Sequence, residues 1–292
     1  MGRGDLTNRE WSLLEPHLPP LGGQDGRWND HRTVINGILF RIRTGVPWRD
    51  LPERYGSWKT VYERHRRWSA DGTWDRIPHA VQADADLAGG STGRWPGSTR
   101  RRAGPISKRP VPARPSRGSR KKDDAPAPPA RRGTRTIPGG LTCKIHLAGE
   151  GGCRPMALLL TPGQWGDAPQ MIEVLDRIRV LRPFGGRPRT RPEHISGGKA
   201  YSSRRNRRYL RRRHIRHTIP EPKDQRANRQ RRGRADGRPA GSDRDRYRRR
   251  NEVERTIIRL KNSRAVATRY DKRAYVFHGT ITAAAIRLRL RQ

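Results

Sequence analysis

At 292 residues the chain can hold one large domain or two ordinary ones, yet only 31% of it is hydrophobic and its formal net charge is +39. So basic a polymer repels itself unless a polyanion neutralises it, so nucleic acid is the expected partner. A membrane role is disfavoured: no apolar run is long enough to span a bilayer, no basic amphipathic membrane helix stands out, and no signal-like segment precedes the first helix. Cys143 and Cys153 could face each other across a hairpin and suit reduced cytosolic thiols equally well. They support neither a zinc site nor a disulfide framework.

Residues 1–80 read as a compact helical domain. Thr7 followed by Glu10 is a capping box, with Trp11, Leu14 and Leu18 as the apolar stripe behind it. A second helix opens at Asp30, carries Val34, Ile35, Ile38, Leu39 and Ile42, and stops at Gly45. The prolines of Val46–Pro52 prevent its continuation. Ser57 caps a third helix with Trp58, Val61, Tyr62, His65 and Trp68, ending at Gly72. Six of the eight Trp residues lie in this stretch, enough for a core. The exposed face of the third helix is expected to carry Lys59, Arg64, Arg66 and Arg67, which fits a helix-turn-helix DNA binder; composition leaves an ordinary three-helix domain equally open.

From Ala88 to Gly140 there is no Leu, Phe, Tyr or Met, and Arg, Pro, Gly and Ser dominate. Such a segment cannot bury enough apolar surface to offset the entropy of ordering, so residues 88–140 are expected to be disordered. Leu141–Ala148 and Cys153–Thr161 are strand-like, separated by a Gly-rich hairpin signal. Asp167 can cap a helix with Pro169 in its first turn. Asn206–His214 reads as a very basic helix, followed by a strand near Ile215–Ile219 and an Arg-rich mobile loop over Glu221–Asp243. A last helix runs from about Thr280 to Leu290.

The most informative stretch holds Tyr247, Arg250, Glu254 and Lys261. At about 100° per residue these side chains fall within roughly 60° of one another on a helix. Ile257 and Ile258 are expected to seat that helix on a core. One carboxylate among cations is what a phosphate-handling metal site needs, because Glu binds the cation while Arg and Lys hold phosphates. Spacing alone leaves a solvated face with ordinary ion pairs as the alternative.

The pattern Tyr-x2-Arg-x3-Glu-x6-Lys resembles the C-terminal motif of bacterial insertion-sequence transposases with an Asp-Asp-Glu triad, and its flanks resemble the insertion sequence five family. So do the segments LLEPHLPP, GILFRIRTGVPWRDLPERYGSWKTVYERHRRW, GGLTCKIHLA and LLLTPGQWGDAPQM. The resemblance covers residues 5 to about 80 and 140 to 290. It implies an N-terminal helix-turn-helix-like DNA-binding domain and, over 141–292, an α/β ribonuclease H-like catalytic domain. Its implied activity is Mg²⁺-dependent cleavage and joining of double-stranded DNA at transposon terminal repeats, in the bacterial cytoplasm at the nucleoid, with a homodimer allowed.

This chain departs from the family in two places. The family's Gly-Asp-Lys-Ala-Tyr, whose Asp is the second metal ligand, reads Gly197-Gly198-Lys199-Ala200-Tyr201 here. The first catalytic strand should lie within 88–140, where the third-base frame of Gly90–Thr99 permits Ile/Val-Asp-Trp-Ser-Val-Ala and then Val-Asp. That segment therefore reads as the frameshifted product of a catalytic strand, without its Asp. Asp84, Asp86, Asp123 and Asp124 lack a strand-like context and are not substitutes. Glu254 is left as the only matching carboxylate, so metal binding and catalysis are expected to be impaired and the sheet incomplete. The alternative is a non-catalytic DNA-binding remnant. An RNA binder has less support, because the aromatic strand motifs are absent.

Overall fold

The computed structural model describes residues 2, 4–21, 30–88, 110–111, 136–137, 140–150, 154–182, 185–233, 247 and 251–291. Trp28, Cys153, Arg250 and nearly all of the segment expected to be disordered and frameshifted lie outside these residues.

Local signals set the first helices. α1 (Asn8–Leu14) opens on the expected capping box: Thr7 Oγ1 accepts the Glu10 amide, and the Glu10 carboxylate accepts the Thr7 amide. α2 (His31–Thr44) begins where Asp30 accepts the Thr33 amide and ends at Gly45, which has φ 71°. Glycine is needed there twice over, since a Cβ would also lie 2.9 Å from Arg264 Cβ. α3 (Trp58–Ala70) starts after Ser57, but the Ser57 side chain makes no capping bond. A fourth helix, α4 (Thr73–Ala88), extends past the expected end of this region; Pro78 breaks its sequence signal but not the helix.

The strands are short except for one hairpin. β1 (Pro110–Val111) pairs antiparallel with β4 (Cys143–Glu150), whose other edge pairs with β5 (Arg154–Pro162). β2 (Thr136–Ile137) and β3 (Gly140–Leu141) form a separate two-residue ladder. The hairpin register sets Cys143 opposite Pro162, and Cys143 is a buried, unbridged thiol; the expected pairing across the hairpin involves Cys153, which lies outside the described residues. β6 (His194–Ser196), α6 (Arg204–Arg212) and β7 (Arg216–Thr218) form a small parallel βαβ unit. Among the described residues this parallel pair is not joined to the antiparallel sheet.

Three helix expectations are corrected. α5 (Gln170–Asp176) has Pro169, not Asp167, at its N-cap position, because the Asp167 carboxylate is drawn 3.1 Å from Lys144 Nζ. Within the loop expected over Glu221–Asp243, Lys223–Arg232 is helical (α7), although it has no buried residue; Gln225 anchors it by bonding Ser202 twice. After the motif helix α8 (Asn251–Lys261) and the single turn α9 (Arg264–Ala267), the last helix α10 runs Ala274–Leu290, beginning well before Thr280. The sequence signal was weak because α10 is buried almost all round, so no polar stripe marks its first turns.

Burial explains the architecture. One apolar cluster runs from Leu6, Ile38, Val61 and Trp68 through Ile145 and Leu147 of β4 to Ile257, Phe277 and Leu290. A second holds Met156 and Leu159 of β5 with Met171, Leu175, Ile195, Leu210 and Ile215. The hairpin is thus a wall between two cores, and the compositional division between residues 1–80 and 141–292 is not a packing boundary. α10 lies against α3 and α4, so closely that a Cβ on Gly279 would meet Ser69 Oγ at 2.0 Å.

A buried polar chain crosses the same contact. Arg41 donates two bonds to Asp271, of 3.1 and 2.9 Å, and Thr280 donates its hydroxyl to the same carboxylate at 2.9 Å. The Trp74 indole donates to His65 Nδ1 at 3.1 Å. Nδ1 is therefore the acceptor, and Nε2–H points to Thr280 Oγ1, 3.1 Å away. Full burial suits this neutral tautomer and pushes the His65 pKa down to about 4.

Candidate nucleic-acid interface and catalytic motif

Two of the four motif residues, Glu254 and Lys261, lie on one helix, α8, while Arg250 is outside the described residues. Within α8, Val253, Thr256, Ile257 and Leu260 are buried at the i, i+3, i+4, i+7 spacing that seats a helix on a sheet, here on β4. Glu252 and Glu254 in its first turn and Arg259 and Lys261 in its last turn complement the helix dipole. Glu254 and Lys261 are half-buried on the same side, and Tyr247 is helical and half-buried. Ile257 seats the helix as expected. Ile258 does not: it is 47% exposed, because one residue further round the helix faces solvent.

Gly198, which the resemblance implies stands at the second ligand position, lies just after β6. Gly198 follows that strand with φ −70° and ψ 162° and caps the single 3-10 turn Lys199–Tyr201. These are ordinary extended angles that any residue adopts, so nothing in the backbone calls for glycine. Among the described residues no group of three His, Cys, Asp or Glu side chains could hold a metal ion.

The expected basic face of α3 is corrected in part. Lys59 and Arg67 are exposed, but Arg64 is buried. Its Nη1 donates to His31 Nδ1 at 2.7 Å, and His31 Nε2–H then donates to the Pro19 carbonyl at 2.9 Å. The guanidinium also lies 5.6 Å from the Trp68 ring. Burial chiefly lowers the pKa of both His31 and Arg64, with repulsion between neighbouring cations adding to it. Arg66 is half-buried and pairs with Glu63 at 2.7 Å.

The denser cationic surface is elsewhere. α6 buries only Asn206 and Leu210 and exposes Arg204, Arg205, Arg208, Arg211 and Arg212. Ser203 caps it by accepting the Asn206 amide, and Asn206 Nδ2 reaches the Ala168 and Tyr201 carbonyls at 2.8 and 3.0 Å. α7 adds exposed Lys223, Arg226, Arg231 and Arg232. The basic run in α6 was legible in sequence; the orientation of its arginines and the helicity of α7 were not. A cavity of about 280 Å³ between α4, β5 and α10, lined in part by His79, Arg177 and His278, shares no residue with α8.

A family described as "Putative transposase of IS4/5 family" matches residues 6–78, and one described as "Transposase DDE domain" matches residues 113–288. The chain is 33% identical over 155 residues to the "Insertion element IS402 uncharacterized 16.2 kDa protein" of Burkholderia cepacia, covering 47% of this chain and 100% of that relative. It is 31% identical over 83 residues to the "Uncharacterized protein y4sN" of Sinorhizobium fredii, covering 28% of this chain and 66% of the relative. It is 29% identical over 136 residues to the "Putative transposase for insertion sequence element IS402" of Burkholderia cepacia, covering 47% of this chain and 56% of that protein.

Proposed function

Because this chain belongs to the DDE transposases of insertion sequences, we propose that it binds double-stranded DNA at transposon ends at the nucleoid but is impaired in strand cleavage and transfer. The observation that carries the reading is Gly198, at the end of β6, where the family's motif has its second metal-binding Asp. Strand transfer of this kind uses two divalent cations, Mg²⁺ by family resemblance, about 3.5–4 Å apart. The described residues do not fit such a pair. Gly198 supplies no oxygen, and a lone Glu254 leaves too few carboxylates for tight binding of hard cations.

Binding does not depend on those carboxylates. Lys59 and Arg67 on α3 and the arginine faces of α6 and α7 supply positive charge at separate places along the molecule, suited to phosphates on an extended polyanion. Lys261, on the motif helix with Glu254, would hold and orient the DNA backbone there, with Tyr247 and Arg250 by family resemblance. Bringing two ends together implies a homodimer on DNA, which sedimentation with and without terminal-repeat duplex would check.

A second reading follows from the same glycine: a DNA-binding protein without catalysis that competes with intact transposase for the ends. The test is a gel shift at physiological salt paired with a Mg²⁺ cleavage assay on the same terminal-repeat duplex. Selective binding without cut product is expected. Equal affinity for random duplex would remove end recognition, and robust cleavage would remove the impairment. Gly198→Asp that restored cleavage would assign the loss to that position; no gain is expected if the first carboxylate is also missing.

A further inference from the structure

We infer that the outer edge of the α3–α10 contact is a phosphate site built from Arg66, Arg273, Tyr275 and Tyr62, and that its ligand is a phosphodiester of the DNA backbone. The proposal rests on the DNA-binding reading above. Arg273 is exposed and immediately precedes α10, and its Nη1 donates to the Tyr275 hydroxyl oxygen at 3.0 Å. The Arg66 guanidinium reaches the same hydroxyl from α3. Tyr62, one turn earlier on α3, lies within electrostatic reach of all three and packs its ring on Trp48, with 5.4 Å between centroids. α3 alone does not make this site, because the second cation comes from another element. The segment leading into α10 is fixed. Arg41 and Thr280 bind the Asp271 carboxylate, and the buried Arg269 donates to the Asp271 and Lys272 carbonyls at 3.0 and 3.1 Å.

Hydrogen-bond accounting narrows the ligand. With guanidiniums occupying the Tyr275 oxygen, its O–H is left to donate outward. Among the described residues neither that O–H nor the Tyr62 O–H has an acceptor. Glu63 pairs with Arg66 at 2.7 Å and balances one of the two cations. The first turn of the 17-residue α10 has no side-chain cap, so its amides add donors at the same edge. Two cations converging on a neutral oxygen repel each other, and an anion rich in acceptors relieves that repulsion while taking the unused donors. Phosphate has the matching oxygens, and guanidiniums bind it through paired N–H groups. Lys59, a turn before Tyr62, and Lys272, beside Arg273 in the chain, are also exposed. Positive charge that continues beyond the cluster suits one link of a polyanion rather than an isolated ion.

The test measures the salt dependence of random-duplex binding by the full chain and by Arg273→Ala, Tyr275→Phe and Glu63→Gln, with Arg9→Ala, at an exposed position of α1, as the charge-matched control. Arg273→Ala is expected to weaken binding and shallow the slope by about 0.9, the value for one phosphate. Tyr275→Phe should weaken binding roughly 2- to 12-fold, the range for one hydrogen bond, with the slope unchanged because no charge is lost. Glu63→Gln should tighten binding by removing the carboxylate that competes for Arg66. Arg9→Ala should match the parent, and thermal midpoints should hardly move. A parent-like slope in Arg273→Ala, or a loss no greater than in Arg9→Ala, would overturn the proposal while leaving DNA binding standing. A loss in Tyr275→Phe that came with a lowered midpoint would mark the hydroxyl as structural and also overturn it. Inorganic phosphate is the second probe. If it raised the midpoint of the parent but not of Arg273→Ala, while duplex binding was the same in both, the site would belong to free phosphate and the DNA assignment would fall. Failure of the parent to bind duplex at low salt would remove the DNA-binding reading and this one with it.

Discussion

α3 and α6 are both arginine-rich, yet only α6 presents its arginines together. α3 is enclosed by α2, α4 and α10, so one of its guanidiniums must point inward, and Arg64 does so against His31 and Trp68. α6 buries Asn206 and Leu210 and leans the half-buried Arg207 and Tyr209 on the body, but leaves Arg204, Arg205, Arg208, Arg211 and Arg212 to solvent. The difference teaches that cationic residues on a helix become a polyanion surface only where the helix has few packing neighbours. Counting arginines does not distinguish the two cases.

That comparison can be broken most forcefully behind α3. Asp271→Ala would leave Arg41 buried and without its carboxylate, costing about 3–5 kcal/mol and collapsing the packing of α2, α3 and α10 in urea denaturation. The next effect is set by pH. The folded-state pKa of His65 is about 4 against an ordinary 6.5, so the unfolded chain binds the extra proton across that interval. Stability from this histidine is fully present above pH 6.5 and is lost as pH falls towards 4, by about 3 kcal/mol in total. His31 shifts in the same direction, so acid also weakens the acceptor that holds Arg64. A thermal midpoint that stayed level across this window would contradict the buried neutral tautomers.

Substitution of the arginines separates the helices most directly. Arg64→Met should cost about 1–3 kcal/mol of stability and leave the salt slope of DNA binding unchanged. Arg208→Ala with Arg212→Ala should leave stability nearly unchanged and shallow the slope by about 0.9 for each phosphate no longer neutralised. The smallest effect is expected at Ile258, whose exposed side chain makes Ile258→Ser worth less than about 0.5 kcal/mol; Ile257→Ala, one residue away, should cost about 2–5 kcal/mol.

Much of the candidate site was legible in the order of residues, and the reason is short range. The Thr7–Glu10 box, the Asp30 cap, the Gly45 stop and the Tyr247–Lys261 spacing depend on contacts within a few residues, which neighbouring positions in the chain encode. The departure of Gly198 from the Asp that the resemblance leads one to expect is likewise readable without geometry, because glycine has no side chain to coordinate with. α4 and α7 were hidden for opposite reasons. Pro78 disguises a helix that tertiary packing sustains, and α7 has no apolar stripe because its anchor is Gln225 on Ser202.

By itself, then, the sequence determined the helical N-terminal region, the hairpin, the motif helix, the strongly basic charge balance and the family resemblance. Only the tertiary structure decided that residues 1–80 share a core with β4, α8 and α10, that Arg64 faces inward while five of the six α6 arginines face out, and that Trp165 is presented to solvent. Each of these depends on which surfaces meet across long separations in the chain, and burial there outweighs local propensity and local charge.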